Sequence, residues 1–154
     1  MADDGSTAHY LEASPDDIIG LFWASGSAAD INQLIPGLSQ TSSDQTDWAI
    51  GRGRLNTAII IAHGAENGYT TPAASACMAL TQGGQIDWFL PSRLEFNALY
   101  SNKTNSSIFE SFNSGATYIT SSQYSASAPV GVYNNSWAGG SKTSNASFRP
   151  IRAF

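Results

Sequence analysis

Few residues in this chain are equipped for acid–base, nucleophilic or metal chemistry. The 154 residues include two histidines, His9 and His63, and one cysteine, Cys77. A single cysteine rules out an intrachain disulfide and a cysteine-based zinc site. Cys77 stands on a predicted helix with Met78 and Leu80, where a thiol behaves as a small buried hydrophobe. His63 falls at the end of another predicted helix, where its partial positive charge complements the dipole. Serine and aspartate are plentiful, but no serine sits in a Gly-x-Ser-x-Gly elbow. Asp16, Asp17 and Asp30 could gather round calcium, yet the dense Asp/Asn spacing of a dedicated loop is missing. The expectation is a non-enzyme with no metal and no cofactor. What the chain does hold in quantity is contact formers: four Trp, six Tyr and seven Phe. Tyr and Trp beside small polar residues is the composition of antibody binding loops, rigid anchors among adaptable hydrogen-bonding groups.

Charge is scarce and uneven. Charged residues make up 12% of the chain and the net charge is −5. Residues 1–51 hold eight acids and no base, and the remainder holds four acids against seven bases. The acidic first third reads as a solvated face. A net negative chain has no basic stripe with which to displace counterions, so nucleic acid is not an expected partner. Low charge can signal a membrane protein, but the longest apolar run, Ala58 to Ala62, is far below the ~18 residues a spanning helix needs. The start, Met1-Ala2-Asp3-Asp4, lacks the features of a secretory signal. The chain is therefore expected either to stay inside the cell or to be a piece of a longer exported protein. Between Ser111 and Phe148, Lys142 is the only charged residue in 38, and six aromatics share that stretch.

The elements that must position these residues read as helices first and strands later. Ser14-Pro15-Asp16-Asp17 is a turn or helix start, and Leu21-Phe22-Trp23-Ala24 a short strand. Residues 25–50 read as an irregular excursion. A helix is expected near Asn56–His63 with Gly64 as its left-handed terminator. A second opens at Thr71-Pro72 and stops at Gly83-Gly84. A third follows Ser92, which has capping-box spacing to Glu95, with Leu94 and Leu99 as candidates for its buried side. Strands are expected near Thr117–Tyr124, Val130–Tyr133 and Phe148–Phe154. Helices followed by strands argue for one α+β domain over 1–154.

Four segments carry a resemblance. They are Leu11-Glu12-Ala13-Ser14-Pro15-Asp16-Asp17, then Ile50-Gly51-Arg52-Gly53 with Asn56-Thr57-Ala58. The third is Asp87-Trp88-Phe89-Leu90-Pro91-Ser92 with Glu95-Phe96-Asn97 and Tyr100, and the last is Phe148-Arg149-Pro150-Ile151-Arg152-Ala153-Phe154. In that order they resemble the C-terminal domain of the Legionella collagen-like adhesin and its bacterial relatives. The resemblance implies a C-type-lectin-like fold, with helices in the first two thirds and short antiparallel strands in the last. It also implies a domain cut from the C-terminal end of a longer surface protein. The chain departs from the family at Tyr118-Ile119-Thr120-Ser121-Ser122-Gln123-Tyr124, where members show Tyr-Trp-Ser-Ser-Ser-Glu-Tyr. It departs again at Ala128-Pro129-Val130-Gly131-Val132-Tyr133, which replaces an Ala-Trp motif. The fold is also used by variable proteins of diversity-generating retroelements, whose C-terminal segment is rewritten at template adenines. Ser125 to Ser147 consists almost wholly of residues reachable in that way, Trp137 and Lys142 excepted.

The expected ligand surface therefore lies in the C-terminal third. Its aromatic members are Tyr118, Tyr124, Tyr133 and Trp137, with Ile119 and Val132 beside them. Its polar members are Asn134, Asn135, Ser141 and Asn145. Tyr118 and Tyr124 read equally well as scaffold. Trp88 and Phe89 read as core, and Arg149 and Arg152 as partners of acids such as Asp87. The expected role is recognition of a protein or cell-surface receptor by a bacterial surface or phage-virion protein. Two alternatives stay open: a glycan adhesin for sulfated polysaccharides, as the adhesin resemblance implies, or a trimerising cap of a fibre. A sulfated ligand wants clustered Lys and Arg, and a homotrimer would be needed to gather Lys142 from three subunits. The Glu-Pro-Asn, Gln-Pro-Asp and Trp-Asn-Asp signatures of calcium-dependent sugar binding are absent.

Overall fold

The computed structural model describes residues 10–38, 43–102, 112–113, 115–133 and 136–154. Strands β1 (Leu11–Ala13) and β2 (Ile18–Leu21) come first. They are followed by a one-turn helix α1 (Ala28–Ile31) and a 3₁₀ turn at Thr46–Trp48. Helices α2 (Gly53–Glu66), α3 (Pro72–Ala79) and α4 (Arg93–Ser101) come next. Strands β3 (Tyr118–Ser125), β4 (Ala128–Tyr133), β5 (Ser136–Gly139), β6 (Ala146–Phe148) and β7 (Ile151–Ala153) close the chain. The fold is α+β. A five-stranded sheet runs β2-β6-β3-β4-β5, and β1 pairs with β7 in a separate ribbon.

The two N-terminal strands correct the expectation that strands are confined to the last third. Each is only three or four residues long, too short to show alternation, and each finds its partner at the far end of the chain: Leu11 opposite Ala153, Ile18 opposite Phe148. The predicted strand at Leu21–Ala24 is displaced. Pairing ends at Leu21, and Trp23 and Ala24 are core residues. The predicted Phe148–Phe154 strand is two strands, because Arg149-Pro150 carries the chain from one sheet to the other. Pro150 has no N–H for a ladder, and its carbonyl accepts from the Ser14 N–H at 2.8 Å. The large sheet is also not purely antiparallel, since Tyr118 pairs parallel to Ser147.

Helix α2 packs by close approach rather than by bulk. It buries Gly53, Asn56, Thr57, Ile60 and Gly64, a narrow stripe spaced by three and four residues. Gly64 is therefore not the left-handed terminator. A Cβ there would come within 2.8 Å of Thr71 and 2.9 Å of the Tyr69 carbonyl, and the positive-φ glycine is Gly68, after the Asn67 cap. Helix α3 stops at Ala79, short of Gly83-Gly84, which instead form a turn bridged by Gln82 and Gln85. Helix α4 has the predicted capping box. Its buried side is Phe96 and Leu99, and Leu94 is 41% exposed. Five residues separate Leu94 from Leu99, about 140° round the helix, whereas Phe96 and Leu99 lie about 60° apart.

The segments that carry the family resemblance interlock. Phe89 bridges Ile151 through two backbone hydrogen bonds of 2.8 and 3.0 Å. Arg152 pairs with Glu12 at 2.6 Å and approaches Asp87 at 3.7 Å. Arg149 pairs instead with Asp17, at 2.5 Å, and is 1% exposed. The acidic first third is thus only partly a solvated face: Asp17 holds Arg149, and Asp47 is fully buried, accepting from the Gln123 N–H at 2.6 Å.

Candidate ligand surface

Strand β3 is an internal spine. Tyr118 through Gln123 are all buried, although four of the six are Ser, Thr or Gln. A polar run survives burial only when its groups are paired, and the first half of the chain supplies the pairs. Asp47 accepts from the Ser122 hydroxyl through its backbone carbonyl at 2.9 Å. Asn56 donates to Ser121 at 3.2 Å. The Gln123 side chain accepts from the Ile35 N–H at 3.1 Å and donates to the Gln33 carbonyl at 2.9 Å. Trp23 and Trp48 donate their indole N–H groups to the carbonyls of Thr120 and Gln123. A register irregularity between Ile119 and Gln123 releases the backbone groups that these loops capture.

This placement removes three residues from the expected surface. Tyr118, Ile119 and Val132 are each 1–2% exposed. Ile119 belongs to the main core with Trp23, Ile35, Ile60 and Phe148. Tyr118 and Val132 form a second cluster with Phe96. The Tyr118 hydroxyl donates to Asp17 and accepts from the Asn113 N–H, and burial with that carboxylate pushes its pKa up to about 12. Lys142 is likewise inside. Its ammonium donates to the carbonyls of Ile31 at 2.9 Å and Gln33 at 3.0 Å and lies over the Trp23 ring, and burial pulls its pKa down to about 8. In this position it cannot meet a sulfated ligand.

What remains outside is small, aromatic and polar. Tyr133, at the end of β4, is 52% exposed, and Tyr124, at the end of β3, is 38% exposed. The Tyr124 ring lies on Gly139 of β5, where a Cβ would stand 2.7 Å from the ring. Ser141 and Asn145 are exposed, and the Ser141 hydroxyl accepts from the Thr143 N–H at 3.2 Å. Asn134 and Asn135, between β4 and β5 in the chain, lie outside the described residues. Trp137 is half-buried: it pairs opposite Val132, meets the Phe96 ring edge-on at 6.1 Å and lies under the Arg93 guanidinium.

Beside Tyr124 runs an open groove of ≈510 Å³, its walls including Ser127, Ala128, Gly140 and Ser141 on one side and Gly26 and Asn32 on the other. The second wall was not legible in the sequence. Only Ser27, whose hydroxyl caps α1 by accepting from the Asp30 N–H at 3.3 Å, left a local trace, as Ser-x-x-Asp. Among the described residues no charged side chain lines this groove. Its chemistry is contact and hydrogen bonding.

Elsewhere several titratable groups are committed. Cys77 is buried and its thiol is pushed up to about 12. His63 shares a 2.8 Å hydrogen bond with Tyr69, and burial lowers its pKa. Glu95 accepts from the N–H groups of Gly51 and Ser92 at 2.8 and 2.7 Å.

No family model matches the chain, and the curated proteins give no match. Among solved structures, the crystal structure of a fimbrial protein from Bacteroides ovatus is similar, with a TM-score of 0.55 and 15% identity over 94% of this chain. The match covers 35% of that protein, so the chain spans about a third of its length. At this identity the likeness is one of fold.

Proposed function

We propose that the chain is a recognition domain of a bacterial or phage surface protein, built on a C-type-lectin-like frame, that binds a protein or receptor. The observation that carries this reading is an exposed, uncharged C-terminal surface, with Tyr124 beside the groove at one end of the β3–β4 hairpin and Tyr133 at the other end. The fimbrial neighbour supports a surface-protein setting. The interlocking of Leu11–Asp17, Asp87–Ser92 and Phe148–Phe154 supports the lectin-like frame, since the segments that match the family are the ones that hold each other. Retroelement diversification of the C-terminal segment remains part of the proposal, restricted to outward positions such as Tyr124, Tyr133, Ser141 and Asn145. The sulfated-glycan alternative loses its one lysine to the core.

The test is a pair of variants. Tyr133→Ala should change stability by about 0.5 kcal/mol or less, as surface substitutions do, and Tyr124→Ala, whose ring packs on Gly139, by about 1 kcal/mol, while both abolish attachment of the parent protein to its host or target surface. Unchanged attachment, or a large fall in melting temperature, would sink the reading. Sequences from several isolates test diversification: variation should concentrate at the outward positions and spare Ile119–Gln123 and Lys142.

A further inference from the structure

Arg93, the first residue of α4, is held between two tryptophans. Its guanidinium carbon stands 4.3 Å from the Trp48 ring centroid and 5.1 Å from that of Trp137. Stacking on both indoles fixes the plane of the group and stabilises the cation. It leaves the N–H edge, with up to five donors in a rigid fork, as the part able to receive a partner. Among the described residues no carboxylate pairs with Arg93 and no acceptor takes a hydrogen bond from its side chain. Glu95, two residues along, turns inward to the N–H groups of Gly51 and Ser92. Asp47, adjacent to Trp48, is buried against the Gln123 N–H. Arg93 is half-buried, and no nitrogen of its side chain is both buried and unpaired. Burial lowers its pKa with no acid to offset the effect.

In a chain with twelve acids and seven bases, the other described arginines have a carboxylate or carbonyl partner. A guanidinium stacked on two indoles and, among the described residues, without an acceptor keeps its N–H edge open to a partner. It is a suitable receptor for a planar anion arriving edge-on, where two parallel N–H···O bonds match a carboxylate. Trp137, on β5, joins this position to the β4–β5 hairpin that bears Tyr133.

We propose that Arg93, clamped by Trp48 and Trp137, is a carboxylate-receiving subsite that takes an Asp or Glu side chain of the protein partner. This deepens the recognition role proposed above and rests on it. The subsite supplies the directional, charge-selective contact that the uncharged groove lacks.

The test uses the full chain, isotope-labelled, with a blocked Gly-Glu-Gly peptide, its Gly-Gln-Gly twin and sodium sulfate as probes at constant ionic strength. The Glu peptide should shift the Arg93 Nε–Hε resonance and the Trp48 and Trp137 indole N–H resonances saturably, and the Gln twin should not. Arg93→Lys, which keeps the charge and loses the fork, should weaken the response about 10-fold or more. Arg93→Gln should remove it. Equal responses to both peptides, absence of saturation, or tighter binding of sulfate than of the Glu peptide would overturn the carboxylate assignment. If that happens while Tyr124→Ala and Tyr133→Ala still abolish attachment, the recognition face stands and the Arg93 subsite falls. If attachment survives those two variants, it is the recognition role that falls.

Discussion

Lys142 illustrates how one residue can be misplaced by composition. It is the sole charge in a long Ser/Gly/Asn-rich stretch, which suggests an exposed contact. Instead it is buried and its nitrogen meets the carbonyls of Ile31, the last residue of α1, and Gln33, just beyond it. Two carbonyls suit a neutral amine, which has two N–H donors, as well as they suit an ammonium. The folded pKa of about 8 lies below the ordinary 10.5. Between those values the unfolded chain keeps a proton that the native state has released, so this group's contribution to stability rises with pH. Cys77 acts in the opposite sense above pH 9, because its folded pKa is raised to about 12. The two separate in a comparison with Lys142→Met. Urea unfolding of the pair across pH 7 to pH 10 should show stability moving in favour of the wild type as pH increases. A constant difference would mean that the lysine titrates normally in the fold.

At the scale of elements, β3 does most to hold the domain together, and Gln123 is its most connected side chain. It bonds Ile35, Gln33 and, within its own strand, the Ser125 carbonyl at 3.0 Å. Gln123→Ala would leave the buried Ile35 N–H unpaired, at a cost of about 1–3 kcal/mol, while the Gln33 carbonyl keeps its bond from Lys142. Thermal unfolding should therefore drop sharply, while Ser125→Ala, which keeps the accepting carbonyl, should change little. Such a strand is hard to see in sequence. Ser, Thr and Gln ordinarily mark a surface, and nothing local to residues 120–123 announces that Asp47, Asn56 and Gln33 will cover them. Capping signals, by contrast, are local: Ser92 with Glu95 and Pro72 at a helix start were both legible, and both helices start where expected. Helix ends that depend on close packing, such as Gly64 against Tyr69, were not.

For the molecule as a whole, the α+β class and the run of C-terminal strands were readable from punctuation by Gly, Asn and Ser. The two-ended sheets were not, because β1 and β2 are specified by partners over 120 residues away. The candidate surface follows the same division. Tyr124, Tyr133 and Ser141 lie outside, as aromatic and polar character suggested, whereas Tyr118, Ile119 and Val132 obey strand alternation between two cores. The opposite wall of the groove and the Trp48–Arg93–Trp137 stack come from contacts between distant segments, which composition does not encode.

The β1–β7 ribbon has a mechanical corollary. Tyr10 and Phe154 lie side by side at one end, with reciprocal backbone bonds of 3.1 and 3.2 Å. A pull applied between them parts the rungs Leu11–Ala153, Glu12–Arg152 and Ala13–Ile151 one after another, like a zip. The same three rungs gripped at Tyr10 and Ile151 share the load and slide as a unit. Stretching with optical tweezers should accordingly open the first geometry at markedly lower force than the second, so that a domain tethered by both ends yields early under traction.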